Sequence, residues 1–406
     1  MFKTENAVLE MLRRSMVWIF LLAALLGAIV VRVHFIGAIS HDMEVFLLPW
    51  YDEIVQGGGF TALYDHSGNY NFLYMLLLFF ATRLPLPAIA AIKLFSFVGD
   101  ALLALAAALI VAQLLPQSRY KKLFPPLTFV AVLLLPSVVL NSAYWGQCDA
   151  LYTACLLFAV YFLLRSKWIF AFVMVGLALC FKLQAVFFLP ALLLLYVSKR
   201  KFSILHFLVP PAMLFLSGAP EIIANQDLLA PFRVYTGQAL SGDGAYVNYH
   251  NLSAIFPDTN QASFITPLMV LTILVFLGML ALVMLRRLHF SGDGILLLAA
   301  WSVMTCVVLL PKMHERYAFA GELLLLLWFA VRPSVRRGIP ALTFYLIGLM
   351  ACCRFLLGDI WPPQSIWLAL LNIACWVYVT WLLVKAGAKQ PRPQPTVAGA
   401  AQTPYN

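Results

Sequence analysis

Apolar stretches of about 15–25 residues recur along the chain from Val17 to Val384, the length a hydrocarbon core of about 30 Å demands of a helix. The 406 residues are 63% hydrophobic and 11% charged, with a mean hydropathy of +0.91. That leaves too little polar surface to cover a soluble core of this size. The expected fold is all-α, a polytopic transmembrane helical bundle of about 12 spans, with about 11–13 compatible with the pattern.

The formal charge of +10 invites a nucleic-acid reading, but the placement of the basic residues argues against it. They fall in short groups between apolar runs: Arg13/Arg14, Arg119/Lys121/Lys122, Arg165/Lys167, Lys199/Arg200/Lys201, Arg286/Arg287, Arg332/Arg336/Arg337 and Lys385/Lys389/Arg392. With Lys3 these hold 19 of the 27 basic residues, and such groups mark cytoplasmic loops. Excess charge here reports orientation rather than a polyanionic partner, and no nucleic acid is expected. Seven cysteines is an odd number. Six of them lie in or beside apolar runs, and no CxxC or Cys/His spacing appears, so neither a disulfide framework nor a zinc site is expected. The first apolar run carries no cleavage signature and reads as a retained anchor.

With the basic groups inside, spans fall near 17–36, 88–115, 123–140, 150–164, 168–181, 184–198, 203–218, 264–285, 294–310, 320–331, 339–357 and 365–384. Both termini come out cytoplasmic. Residues 1–385 form a single transmembrane domain, and 386–406 a disordered cytoplasmic tail without apolar periodicity. The run "NFLYMLLLFFATR" at 71–83 would turn every later basic group outward if it crossed, so it is expected as a re-entrant or membrane-surface helix. The long segments are then all external: the first loop 37–87, 141–149, the long loop 219–263, 311–319 and 358–364.

Polar residues gather on that external side. In "SHDMEVFLLPW" (40–50), Asp42 and Glu44 stand at the exit of the first span. Pro49 suits a first helical position, Asp52 and Glu53 the first turn, and Gly57–Gly59 the end of a short helix. Phe46, Trp50 and Ile54 step by four and would give that helix an apolar stripe for the membrane interface. Taken alone, Asp42 is as well read as a helix cap. Other loops add Asn141, Trp145, Gln147 and Asp149 in "NSAYWGQCD", and Lys182 and Gln184 in "CFKLQAVFFLP". "PKMHERYAF" (311–319) adds Lys312, His314, Glu315 and Arg316, and the long loop adds Arg233, Asp243, His250 and Asn251.

Ionisable groups near membrane depth are expensive and are functional candidates by default. Lys312 and Arg316 taken singly would read as side chains snorkelling from a span end. Four titratable residues within 312–316, on the side that carries few positive charges, go beyond that. Arg binds phosphate through a planar fork and Lys as a point charge. A bare carboxylate in one external loop can take a proton from a hydroxyl, and a cation cluster in another can stabilise a departing phosphate. That pairing suits group transfer from a lipid phosphate to an acceptor hydroxyl.

Five motifs, in order from residue 40 to 320, resemble membrane glycosyltransferases of the GT-C superfamily that use polyprenyl-phosphate sugars. The nearest likeness is to bacterial relatives of the glucosyltransferases that extend lipid-linked oligosaccharides, and of GPI-type mannosyltransferases. "HDMEVFLLPWYDEI" is similar to a first-loop motif in which an Asp and a Glu two residues later lead into a juxtamembrane helix. "YDHSGNYNFLYMLLL" resembles the Tyr-rich segment that follows, although it reads Tyr-Asn-Phe-Leu-Tyr without the paired prolines often found there. "AYWGQCDALY", "FKLQAVFFLPAL" and "KMHERYAF" resemble the WGQ(x)D element, the Lys/Gln segment and the late His-x-x-basic motif.

The resemblance implies an inverting, single-displacement transfer of a hexose to a hydroxyl of a cell-surface glycan or lipid-linked acceptor. Asp42 would be the general base. Lys312, His314 and Arg316, with Lys182, would hold the donor phosphate. Glu44, Trp145, Gln147, Asp149, Glu315 and His250 would bind sugar hydroxyls or orient the base. It also implies metal-independent chemistry, with a divalent metal left open, and no other cofactor. The implied partners are the lipid-linked donor, a glycan or glycolipid acceptor and membrane lipids. The implied setting is a bacterial inner (plasma) membrane with the site on the periplasmic or extracellular face. Rival readings are a lipid-linked oligosaccharide flippase, which predicts mid-membrane charges and an internal repeat, a membrane O-acyltransferase built on His314, and a non-catalytic membrane subunit.

Overall fold

The computed structural model describes residues 2–64, 66–115, 117–118, 120–240, 244–256, 261–358 and 366–388. Asp243, Arg119, Lys389, Arg392, most of the segment 358–364 and the tail from 389 onward lie outside the described residues. Among the described residues the chain is helical, and its one extended pairing is an isolated bridge between Tyr246 and Met313.

The apolar runs become helices in chain order. The first is α1 (Phe2–His34), which starts well before the predicted span. A short α2 (Leu48–Gln56) and α3 (Phe72–Ala81) follow in the first loop, then α4 (Ala88–Leu114). Next come α5 (Phe124–Leu134) and α6 (Pro136–Val139), then α7 (Asp149–Leu164), α8 (Trp168–Phe181) and α9 (Leu189–Lys199). α10 (Val209–Ser217) leads into the long loop, which carries α11 (Ala219–Asn225) and α12 (Ala230–Leu240). The chain closes with α13 (Gln261–Arg286), α14 (Asp293–Leu309), α15 (Phe319–Val331), α16 (Val335–Leu357) and α17 (Ile366–Ala388).

Five helices, at 15–34, 88–114, 262–286, 335–357 and 366–388, are long and apolar enough to cross a bilayer alone. Two further helix pairs are long and apolar enough for a crossing if each bent pair counts as one. The helix through Phe124–Leu134 bends by 52° at Pro136 and continues to Trp145, and Ile204–Ser217 bends by 56° into Ala219–Asn225. The proline explains the first bend, since its ring cannot accept the preceding helical geometry. Shorter apolar helices at 149–164, 168–181, 183–199, 293–309 and 319–331 complete a set that accommodates about 12 spans. The helix α3 has 10 residues, about 15 Å of rise, half of what a crossing needs.

Packing divides the bundle into two joined groups. α4 lies against α5 and α7, and α7 against α8. α14 lies against α15 and α17, with α16 closing on both, and it is buried from Gly294 to Leu309. A helix apolar on every face belongs in the interior of such an assembly. Contacts of α7 with α14 and α15 join the groups.

The first loop departs from expectation in one respect. Trp50 and Ile54 do not face the membrane interface; both are buried with Met43, Leu47, Leu63, Tyr70 and Met75, and Phe46 alone of the predicted stripe is exposed. The stripe closes on α3, whose Phe72, Tyr74, Met75 and Leu78 are buried in turn. The burial available against α3 and α4 outweighs what an interfacial position would supply to the same side chains.

Candidate active site

Asp42 stands at the start of a continuous helical winding that opens at His41. The winding passes through a wide π-helical turn, Met43–Leu47, and enters α2. Ser40 holds its entrance: its Oγ accepts from Met43 N at 3.2 Å and donates to Trp145 O at 2.8 Å. The Asp42 carboxylate is buried, and one oxygen, Oδ2, receives three donors. These are Trp145 Nε1 at 3.0 Å, Gln147 Nε2 at 2.7 Å and Arg316 Nη1 at 3.2 Å. Among the described residues none donates to Oδ1.

Trp145 and Gln147 are aimed by a second π-helical turn, Leu140–Trp145, which continues the broken span five residues past its predicted end. The turn stops on Gly146 at φ +80°, a conformation that costs any residue with a Cβ about 1–2 kcal/mol. Gly146 also lets the first loop approach, since a Cβ there would lie 2.4 Å from Met43 Cε. Tyr70 Oη donates to Gln147 Oε1 at 3.2 Å and so fixes which end of the amide faces Asp42. The Trp145 ring stacks on Phe355 at 5.1 Å, with the Arg316 guanidinium 5.0 Å from its centroid.

The 311–316 segment is strapped down by the long loop. Lys312 N donates to Ala245 O at 2.6 Å, and Tyr249 N to Met313 O at 3.2 Å. Lys312 itself sits at φ +60°. Arg316 uses the single nitrogen Nη1 on both Asp42 and Glu315, the latter at 3.4 Å, while its Nε is buried with no partner among the described residues. Glu315 is buried and accepts from Asn248 Nδ2 at 2.9 Å. Burial raises its carboxyl above the usual range, and Arg316 opposes that shift. His314 is pushed down to about 4, first by burial and then by the Arg316 and Lys182 charges, so its imidazole is neutral at pH 7.

Lys182 lies at an extended break between α8 and the next helical turn. Its Nζ meets Asp149 Oδ1 at 2.5 Å, and Asp149 Oδ2 takes a further bond from Asn141 Nδ2 at 2.8 Å. The expectation of a bare carboxylate facing a separate cation cluster therefore needs correction. Each is already matched: Asp42 and Glu315 with Arg316, Asp149 with Lys182. Charges this deeply buried are stable only when paired.

These groups surround a cavity of about 480 Å³. Asp42, Gln147, Lys182, Lys312, His314 and Arg316 line it, with Tyr70, Asn69, Gln184, Gln238, Tyr246 and Asn248 among the other polar groups. Trp50, Phe46, Phe181 and Phe355 supply aromatic and apolar wall. Polar groups set in an apolar frame are what a pocket for a part-polar ligand requires. Trp145, Asp149 and Glu315 stand behind the wall and act on it through their partners. Two expected site residues are placed elsewhere. Glu44 is exposed and outside the lining because its position on the π-turn faces away from Asp42. His250 is buried outside the lining, and among the described residues neither ring nitrogen has a partner.

Sequence reasoning passed over Tyr70, Ser40, Asn69, Gln238, Tyr246 and Asn248. Tyr70 lay within the quoted Tyr-rich segment, and Ser40 began the quoted stretch 40–50, but nothing in spacing singled either out. Among the described residues no group of three or more His, Cys, Asp or Glu side chains converges as metal ligands do.

The model of glycosyltransferase family 87 matches residues 70–311, more than half of the chain. The matched stretch holds Tyr70, Trp145, Gln147, Asp149 and Lys182, and lies between Asp42 on one side and Lys312–Arg316 on the other. No curated protein matches the chain.

Proposed function

The chain belongs to glycosyltransferase family 87, a membrane family of GT-C type, and on that premise we propose that it transfers a hexose from a polyprenyl-phosphate donor to an acceptor hydroxyl on the external face of the membrane. The observation that carries the reading is Asp42. Its Oδ2 is held by three donors, its Oδ1 takes none from the described residues, and it lines the same cavity as Lys312, His314 and Arg316.

In the proposed reaction Asp42 Oδ1 accepts the proton of the acceptor hydroxyl as its oxygen bonds to the anomeric carbon. The bond from that carbon to the phosphate oxygen breaks, and its electron pair leaves on the phosphate. Lys312 and the unused nitrogens of Arg316 meet that charge as it develops, and neutral His314 donates a hydrogen bond. A fixed carboxylate costs no reorganisation at the moment of transfer. Lys182, already paired with Asp149, serves the phosphate by sharing. The tyrosine and amide groups of the cavity hold sugar hydroxyls. Attack from the side opposite the phosphate inverts the anomeric centre. The chemistry needs no metal, in keeping with GT-C enzymes in general.

The site lies among segments that the basic groups place outside, which supports an external, periplasmic active site in a bacterial inner membrane with both termini cytoplasmic. The test is transfer of label from a radiolabelled polyprenyl-phosphate hexose to glycan in isolated membranes. Asp42→Asn is expected to lower transfer by about 10²–10⁴-fold with insertion intact. Turnover at the wild-type level in that variant would overturn the assignment.

A further inference from the structure

Lys93 is a charged residue inside the apolar run of α4, and its side chain is completely buried. Its Nζ donates to three backbone carbonyls: Phe35 O at 2.8 Å, Ala38 O at 2.7 Å and Ala143 O at 2.7 Å. An ammonium has three N–H donors, and here each has one acceptor. Helix C-termini leave carbonyls unpaired and carry partial negative charge, which a cation satisfies. Two such ends meet at Lys93. Phe35 and Ala38 lie in the turn that follows α1 and precedes Ser40–Asp42, and Ala143 lies in the π-turn that ends on Trp145.

The same face of α4 extends the contact. Asp100, two turns further along, accepts from Ser142 Oγ at 2.5 Å and from Arg32 Nη2 at 2.7 Å. Residues 93 and 100 are spaced to lie on one side of a helix. One edge of α4 therefore grips α1 and the 140–146 turn together, upstream of the catalytic carboxylate and of its two neutral donors.

We propose that Lys93 is a positioning residue for the transfer reaction, setting the separation of Asp42 from Trp145 and Gln147 by binding the backbones of both segments to one ammonium. The inference rests on the assignment of Asp42 as the base. Lys93 itself does not line the cavity, so it acts through Trp145 and Gln147 rather than on substrate. A displacement of about 1 Å in such a constellation costs about 10²-fold in rate.

The experiment is a double-mutant cycle of Lys93→Met with Trp145→Phe, reading kcat and donor KM in proteoliposomes, with the thermal midpoint recorded for each variant. Lys93→Met is expected to lower kcat by about 10²-fold with KM within about threefold, because the phosphate side is held by other segments. In the Trp145→Phe background the same change is expected to cost less than about fivefold, since the contact it positions is already gone. Lys93→Arg, which keeps the cation, is expected to recover most of the lost kcat. Wild-type kcat in folded Lys93→Met, or losses that multiply fully with Trp145→Phe, would overturn the proposal. Should Lys93→Met fail to accumulate in the membrane, the cycle is read with Lys93→Gln, which loses the charge but keeps two donors, under the same criterion of non-additivity. Asp42→Asn is assayed alongside: if it retains turnover, the fault lies with the base assignment, and if it is inactive while Lys93 proves dispensable, the fault lies with the positioning role alone.

Discussion

His250 shows how a single buried side chain can set the acid limit of a protein without touching substrate. Its ring nitrogens have no hydrogen-bond partner among the described residues, and burial, assisted by the Arg354 charge, lowers it to about 4. The unfolded chain takes up that proton near the ordinary value of about 6.5. Above pH 6.5 both states are neutral and the folded state suffers no penalty. As pH falls from about 6.5 toward 4, the unfolded state binds a proton that the folded state refuses, and stability is lost. His314 adds to the same loss for the same reasons of burial and nearby cations. His250→Leu removes no hydrogen bond of the ring. It is therefore expected to leave the thermal midpoint at pH 7.5 little changed and to flatten its fall between pH 6.5 and 4.5. A fall as steep as in the wild type would show that the proton goes elsewhere.

At the level of elements, the apolar periodicity carries the helices, and the charges inside them carry what periodicity hides. Twelve runs, the amphipathic step of residues 46–54 and the five polar motifs are readable because each repeats or clusters along the chain. Lys93, Asp100 and Arg32 are not, because an isolated charge within an apolar run looks the same whether it is paired or not. Their partners lie far off in sequence: Arg32 meets Asp100 through Nε at 2.9 Å and Nη2 at 2.7 Å, with Leu133 O and Ala28 O taking further donors. Tyr70 escaped notice for a similar reason, being one tyrosine among several until Gln147 closes on it. The inward turn of Trp50 and Ile54 also follows from a neighbour, α3, whose packing the local pattern does not state. Breaking a buried pair by removing one member costs about 3–5 kcal/mol, because the remaining charge is left uncompensated. Asp100→Leu is accordingly expected to lower the unfolding midpoint in detergent sharply. The double change Arg32→Met with Asp100→Leu is expected to restore most of it, and equal damage in the single and double variants would show that the pair does not carry the effect.

For the whole molecule, orientation follows from where the cations lie. Arg165, Lys167, Arg286, Arg287, Arg332 and Arg336, which the positive-inside rule expects at the cytoplasmic face, are exposed, and Asp149 and Lys182 stand at the opposite ends of α7 and α8 from Arg165 and Lys167. Labelling from one side tests this. All seven cysteines are free, and none of them is more than partly exposed, so a background without them is the starting point. In intact cells Glu44→Cys is expected to react with a membrane-impermeant maleimide, and Arg286→Cys to react only after permeabilisation. The reverse pattern would turn the protein over and move the site to the cytoplasm. Family membership fixes the class of enzyme, and the arrangement of segments 140–147 and 311–316 around one carboxylate supports the choice of residues.

The two wide turns have a consequence for how such a site arises and how its relatives should be compared. A π-helical turn holds one residue more than an α-helical turn spanning the same stretch of axis. Loss of one codon from the stretch encoding Leu140–Trp145 would let the segment close as ordinary helix with its two ends still in register, while the side chains within the turn take new directions about the axis. Ancestry at this site is then written in chain length as much as in residue identity. Two sequences laid side by side without a gap at 140–145 could match letter for letter and still present different atoms to the substrate.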